Sequence, residues 1–278
     1  MTRNTSIIEL ARWLQSPPGR YLLAWEQAQL DSTVTDLFGF HALQLGLPEL
    51  EGLRFNRMPH RWVAEDGLRE GDRMPPGLGL HCDFDALPFD SQSLDLVLLP
   101  HTLELARDAH DTLREVERVL RPEGRVVIVG FNPASLWGLR QRAGQARQRL
   151  GLSGQLYLPS AGEFIGYRRV RDWLRLLGFE VERGRFGCWR LPLRSDAGLA
   201  RMAWLEAAGA RVWPVLGAVY LVEAVKRVRG MRLVGLTRRQ QASASAAPAV
   251  VAHRSAKPWR PALGTAPAAP RIVNQEQD

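Results

Sequence analysis

Proton transfer, nucleophilic attack and metal binding in this 278-residue chain would fall to six histidines, two cysteines and a scatter of acids. His101 is the first candidate for a general base, because an imidazole titrates near neutrality and can take up a proton at physiological pH. Its plainer alternative is a loop histidine donating to a backbone carbonyl. Glu104 and His110 follow closely, but a glutamate there can bond within its own helix, and His110, in the first turn after Asp108, is expected to face solvent. Cys82 and Cys188 have no CxxC spacing and no adjoining histidine pair, which fits reduced structural thiols and neither a disulfide framework nor a zinc site. Asp83, read alone, is a turn-capping carboxylate ahead of Ala86-Leu87-Pro88. Asp95, inside an apolar run, is expected to bond backbone or a cation.

The elements that must position these residues alternate strand and helix. Phe40–Gly46, His60–Asp66 and Gly79–Phe84 read as three short strands. Leu94–Leu99 is a near-continuous apolar run of the kind found in a parallel strand covered on both faces. A helix capped by Asp108 follows, with Leu113, Val116, Val119 and Leu120 at helical spacing and Pro122-Glu123-Gly124 as its stop. Arg125–Gly130 (RVVIVG) is the next buried strand, so residues 94–130 form a βαβ unit. A helix over Val170–Leu177, a strand from Phe179, a helix over Leu199–Ala208 and a strand within Val215–Arg227 complete the pattern. Upstream, a cluster from Ile7 to Leu14 is ended by Ser16-Pro17-Pro18-Gly19, and a second helix is expected from Gly19 to Leu37. The reading is an α/β fold with three parts: residues 1–38 as a helical segment packing on the domain, 39–239 as the domain, and 240–278 as a disordered Ala/Pro-rich tail.

The stretch CDFDALPFDSQSLDLVLLPHTLELARDAHDTLREVERVLRPEGRVVIVG, residues 82–130, resembles the central block of the class I S-adenosylmethionine-dependent methyltransferases. It is most similar to the group containing the quinone-biosynthesis C-methyltransferases and related bacterial proteins. The likeness rests on ordered parts: an acid before a Leu-Pro-Phe turn, a strand with Asp in second place, a helix ending RVLRPEG and an apolar strand. It implies a Rossmann-like, doubly wound sheet of seven strands, mostly parallel with the last antiparallel, helices on both faces, and S-adenosylmethionine as cofactor across the carboxyl ends of the first strands. It also implies that Asp83 accepts from the adenine amine, that Phe84 packs on the ring, and that Leu99, Pro100 and His101 face the methionine part and the acceptor. His101 would then be the general base.

At the first strand the chain departs from that family. Where relatives have an acid followed by Gly-x-Gly-x-Gly, this sequence reads Gln44-Leu45-Gly46-Leu47-Pro48-Glu49-Leu50, keeping one glycine. Those glycines let backbone approach the cofactor and open the following helix. Gln44 is expected to bond the amino-acid end of the cofactor, and Glu65 or Asp66 to hold the ribose hydroxyls. A nicotinamide-dependent dehydrogenase is set aside, because no G-x-G-x-x-G follows Leu45.

The net charge of +8 comes almost entirely from arginine and suits phosphate, carboxylate or an anionic membrane surface. Leu139–Arg149 carries four arginines and no acid, which reads as a solvated helix or as a binder of RNA phosphate or lipid headgroups. Among Trp137, Trp189, Trp204 and Trp213 at least two read as core, with an apolar substrate pocket or a membrane interface as the alternative. Neither a signal peptide nor a membrane span is legible, so a cytoplasmic location is expected. The expected activity is methyl transfer to a small or lipid-like acceptor. The alternatives are a nucleic-acid methyltransferase and an inactive scaffold that kept the fold.

Overall fold

The computed structural model describes residues 3–66, 79–153, 156–159 and 163–227, with side chains from Glu9 onward. The 240–278 segment therefore lies outside the described residues. Two helices open the chain, α1 (Arg3–Leu14) and α2 (Pro17–Val34). Ser16-Pro17-Pro18-Gly19, read as a stop, is equally a start: the Ser16 hydroxyl accepts from Gly19 N at 3.4 Å, and two prolines fill the first turn of α2, where a missing N–H is harmless.

Strands β1 (His41–Leu45), β2 (His60–Glu65), β3 (Leu80–His81) and β4 (Leu94–Pro100) follow. Then come α3 (Thr102–Leu105), α4 (Ala109–Val119) and β5 (Leu120–Phe131). The last third contains α5 (Leu136–Arg149), α6 (Tyr167–Leu176), β6 (Phe179–Gly187), α7 (Asp196–Arg201), α8 (Trp204–Val212) and β7 (Val219–Lys226). The seven strands lie in the order β3-β2-β1-β4-β5-β7-β6. β1 to β5 pair in parallel, and β7 runs antiparallel to both β5 and β6. This is the doubly wound sheet expected, with its last strand reversed. Strand order turns round between β1 and β4, the place where open α/β sheets bind ligands at their carboxyl ends.

Each face of the sheet has its own core. One is filled by α4 and α6, through Leu113, Val116, Val119, Val170 and Leu174. The other is filled by α1, α2 and α5, through Leu10, Leu14, Leu22, Leu30 and Trp137. Asp95 ties the sheet together as its position suggested: one carboxylate oxygen accepts from Phe40 N (2.8 Å) and His41 N (2.9 Å), and the other faces Arg121 (3.2 Å).

Two strands begin elsewhere than the sequence reading placed them. β5 starts at Leu120, not Arg125, because Pro122–Gly124 forms a bulge inside it: Leu94 pairs with Leu120, and Leu96 with Arg125. β7 starts only at Val219, since Pro214–Leu216 makes a single 3-10 turn first. No helix joins β1 to β2; Gly46–Pro59 is a chain of turns. A parallel crossover normally covers the sheet with a helix. Here α2 takes over that face, with Leu50, Leu53 and Met58 of the turns packed in beside it.

Candidate active site

At the carboxyl end of β1, Gln44 is fully buried. Its Nε2 reaches the carbonyls of Gly46 (3.2 Å), Leu47 (3.0 Å) and Leu50 (2.8 Å), and its Oε1 accepts from Gly52 N (3.0 Å). Both N–H donors are thus spent on the loop that replaces the glycine-rich one. Gln44 holds the loop's shape from beneath, where the sequence reading had placed it against the ligand. Gly52 has to be glycine for this, because a Cβ there would lie 2.8 Å from Gln44 Oε1 and 2.9 Å from Leu98 Cδ1.

Gly46 adopts φ +78°, a left-handed conformation that favours glycine. A Cβ built on it would touch the Phe84 ring and Thr102 Oγ1, each at 3.7 Å. The Thr102 hydroxyl in turn donates to the Leu45 carbonyl. The end of β1, the segment after β3 and the start of α3 therefore converge on one glycine. Around that point Asp83 is exposed, Glu65 is half-buried at the end of β2 with its carbonyl accepting from Cys82 N (3.0 Å), and Phe84, Leu99 and Pro100 are buried. Burial, reinforced by Asp66 and Asp83, pushes the Cys82 thiol up to about 11, and burial also holds the Cys188 thiol well above its ordinary value. Both sulfurs stay as neutral thiols.

His101 ends β4 with φ +54°, an unusual conformation for a side-chain-bearing residue and one that recurs at functional sites. It is wholly buried. Its Nε2 lies 2.8 Å from Glu26 Oε1 and its Nδ1 2.8 Å from Glu104 Oε2. Glu104 uses its second oxygen to accept from Phe131 N (2.6 Å), and the Phe131 ring sits 4.4 Å from the imidazole. Burial on its own would lower the His101 pKa, but the two carboxylates together outweigh it and push the value up to about 10. Burial raises the Glu104 carboxyl, against the lowering pull of His101. In the imidazolium form both ring nitrogens are donors, so His101 has no lone pair of its own to offer a substrate. The open atom of the cluster is Glu26 Oε2, buried and without a hydrogen-bond partner.

Glu26 was missed from the sequence, although the signal was present. It falls on the stripe Leu22, Glu26, Leu30, the inward face of α2, where a carboxylate needs a partner. His110 is exposed as expected, its ring centre 3.9 Å from that of Trp173 and tilted 48° to it. Among the four tryptophans, Trp137 is core, Trp189 is half-buried, and Trp204 and Trp213 are exposed.

The donor set suits the cofactor that the fold implies. Adenosine offers an exocyclic amine and ribose hydroxyls as donors, and the strand ends offer carboxylate acceptors at Asp83 and Glu65, beside a glycine whose bare backbone leaves room for close approach.

Comparison with known proteins bears on the family and the fold. Residues 67–128 match the family model described as a methyltransferase domain. The chain is 32% identical over 218 residues to the uncharacterized protein YafS of Escherichia coli, covering 77% of this chain and 80% of that one. A malonyl-[acyl-carrier protein] O-methyltransferase of Halorhodospira halophila is 41% identical over 58 residues, about a fifth of either chain (21% and 20%). Among solved structures, a SAM-dependent methyltransferase from Archaeoglobus fulgidus superposes with a TM-score of 0.50 at 15% identity, over 73% of this chain and 94% of its own, which supports the fold alone. The chain belongs to the class I S-adenosylmethionine-dependent methyltransferases. It is an enzyme of methyl transfer that uses S-adenosylmethionine.

Proposed function

We propose that this enzyme methylates a small or lipid-like acceptor that brings an N–H or O–H to the buried cluster Glu26–His101–Glu104. The observation that carries this reading is Glu26 Oε2, an unpartnered carboxylate oxygen buried at the strand end where the acceptor would meet the cofactor. S-adenosylmethionine, when bound, supplies a methyl group on a positively charged sulfur. Asp83 and Glu65 would hold its adenine amine and ribose hydroxyls, Gly46 would let backbone come close, Phe84 would pack beside the ring, and Leu99 and Pro100 would wall the methionine side. Gln44 would act only through the loop it shapes.

Methyl transfer is chiefly a matter of alignment, with a proton to be removed from the acceptor. His101 serves this step as the centre of a relay. Its imidazolium, fixed by Glu104, holds Glu26 in place through Oε1, and Glu26 Oε2 takes the acceptor's proton. The Halorhodospira relative is by name an O-methyltransferase, and this supports an acceptor with an ionisable oxygen.

Calorimetric titration with S-adenosylmethionine and S-adenosylhomocysteine tests the cofactor half. Asp83→Ala should weaken binding about tenfold, the size of one charge-assisted hydrogen bond, with no change in melting temperature; unchanged affinity would move the adenine elsewhere. For the acceptor half, S-adenosylhomocysteine release is followed over phenols, carboxylic acids, amines and a lipid extract. Glu26→Gln should keep cofactor affinity and lose about 10²-fold in turnover. A Gln variant as fast as wild type would remove Glu26 from the chemistry.

A further inference from the structure

Helix α8 and the turn after it point their apolar side chains outward. Trp204 is 64% exposed, Val212 60%, Trp213 59% and Val215 58%, and Leu216 adjoins them. The backbone here is well anchored: Trp189 Nε1 donates to Trp213 O (3.0 Å), and Asn132 Nδ2 donates to the carbonyls of Val215 (2.8 Å) and Gly217 (2.9 Å). An exposed apolar patch on a rigid support marks a surface that another phase or molecule covers.

Charge identifies the occupant. From Ala197 to Val222 the sequence holds one acid, Glu206, and that carboxylate is drawn inward by the Tyr21 hydroxyl and Cys188 N. Arg201 and Arg211 are exposed beside the patch. Segment 189–192 links it to the basic helix α5: Trp137 Nε1 donates to Arg190 O and the Arg140 guanidinium to Pro192 O, while Arg142, Arg147 and Arg149 stand exposed along α5. Two tryptophans amid aliphatic side chains and arginines, with no outward carboxylate, match the headgroup region of an anionic bilayer, where indoles settle and guanidiniums meet phosphates. A second copy docking face to face would set these arginines against their own kind.

We propose that α8 and the Pro214–Leu216 turn seat this enzyme on an anionic phospholipid surface, with Trp204 and Trp213 at headgroup level and Arg201 and Arg211 on the phosphates. The patch hangs from Asn132, the residue after Phe131, whose ring packs on His101, so docking presents the strand-end edge to the membrane. The proposal stands apart from the proposed chemistry, since binding to a membrane needs neither cofactor nor acceptor.

Flotation of the full chain with vesicles tests it. Wild type should float with vesicles of phosphatidylcholine and phosphatidylglycerol, stay behind with phosphatidylcholine alone, and be released by high salt. The double variant Trp204→Ser/Trp213→Ser should bind anionic vesicles roughly tenfold more weakly with an unchanged circular dichroism melt. Arg201→Gln/Arg211→Gln should reduce both binding and its salt dependence. Failure of wild type to float, or equal flotation of the tryptophan variant, overturns the proposal. So does a variant that merely shifts from dimer to monomer on size exclusion, or that loses retention on RNA while its vesicle binding is untouched.

Discussion

An imidazole with a carboxylate at each nitrogen is a different acid–base group from one in water. His101 owes its raised pKa to Glu26 and Glu104, so the protonated ring is the form that the fold stabilises. That stabilisation is complete below the ordinary value of 6.5 and is lost as pH rises through about 10. Urea unfolding across this range should show wild type losing stability, and His101→Gln should flatten the slope within that window. Glu104→Ala strips one partner from a buried ion pair and exposes Phe131 N to the core, and should cost about 3–5 kcal/mol by the same measurement. Gln44 is argued in the same terms. Gln44→Leu leaves the carbonyls of Leu47 and Leu50 and the Gly52 N–H without their buried partner, which should cost about 2–4 kcal/mol. A Gln44→Leu protein as stable as wild type would show that the amide is not the loop's support. Glu26 could have been found beforehand by its place on the apolar stripe of α2; His101 and Glu104, three residues apart, were candidates already, and only packing brings α2 to them.

Among the elements, α2 is built more deeply into the domain than an N-terminal helical segment packing on it was expected to be. It covers the sheet face that a β1–β2 crossover helix would otherwise cover, and it delivers Glu26 to the end of β4. The β1–β2 connection keeps one glycine of the family's Gly-x-Gly-x-Gly, Gly46, at the position where backbone turns left-handed. Gly46→Ala separates conformation from space. The nearest atoms would lie at 3.7 Å, an ordinary contact, so the cost is backbone strain of about 1–2 kcal/mol. The melt should fall accordingly, and calorimetry should show weaker cofactor binding through the displaced loop. Full cofactor affinity in the alanine variant would mean that this turn does not contact the ligand. Strand and helix periodicity made β1, β2, β4 and α4 legible, because burial on one face or two leaves its period in the text. The bulge in β5 and the late start of β7 were not legible, since an apolar run does not say which of its residues will find a paired strand.

On the scale of the whole molecule, Met1–Gly230 forms one compact unit that contains both cores. A chain ending at Gly230 should therefore unfold in one cooperative transition, with a melting temperature and cofactor affinity matching the full chain. A broad or multiphasic melt would show that later residues belong to the folding unit. Among the described residues no helix is long and apolar enough to cross a membrane. The sequence by itself determined the α/β class, the reversed last strand through family likeness, the cap of α4, where Asp108 Oδ1 accepts from His110 N (2.7 Å), and the methyltransferase identity, because these rest on local order and short-range pattern. Tertiary structure alone decided that His101 is clasped by two carboxylates, that Gln44 faces its own loop, and that two of four tryptophans point outward. Each of those depends on which segments far apart in the chain meet, and on which face of a helix or turn the sheet covers. That information sits in packing between elements and not in the spacing within them.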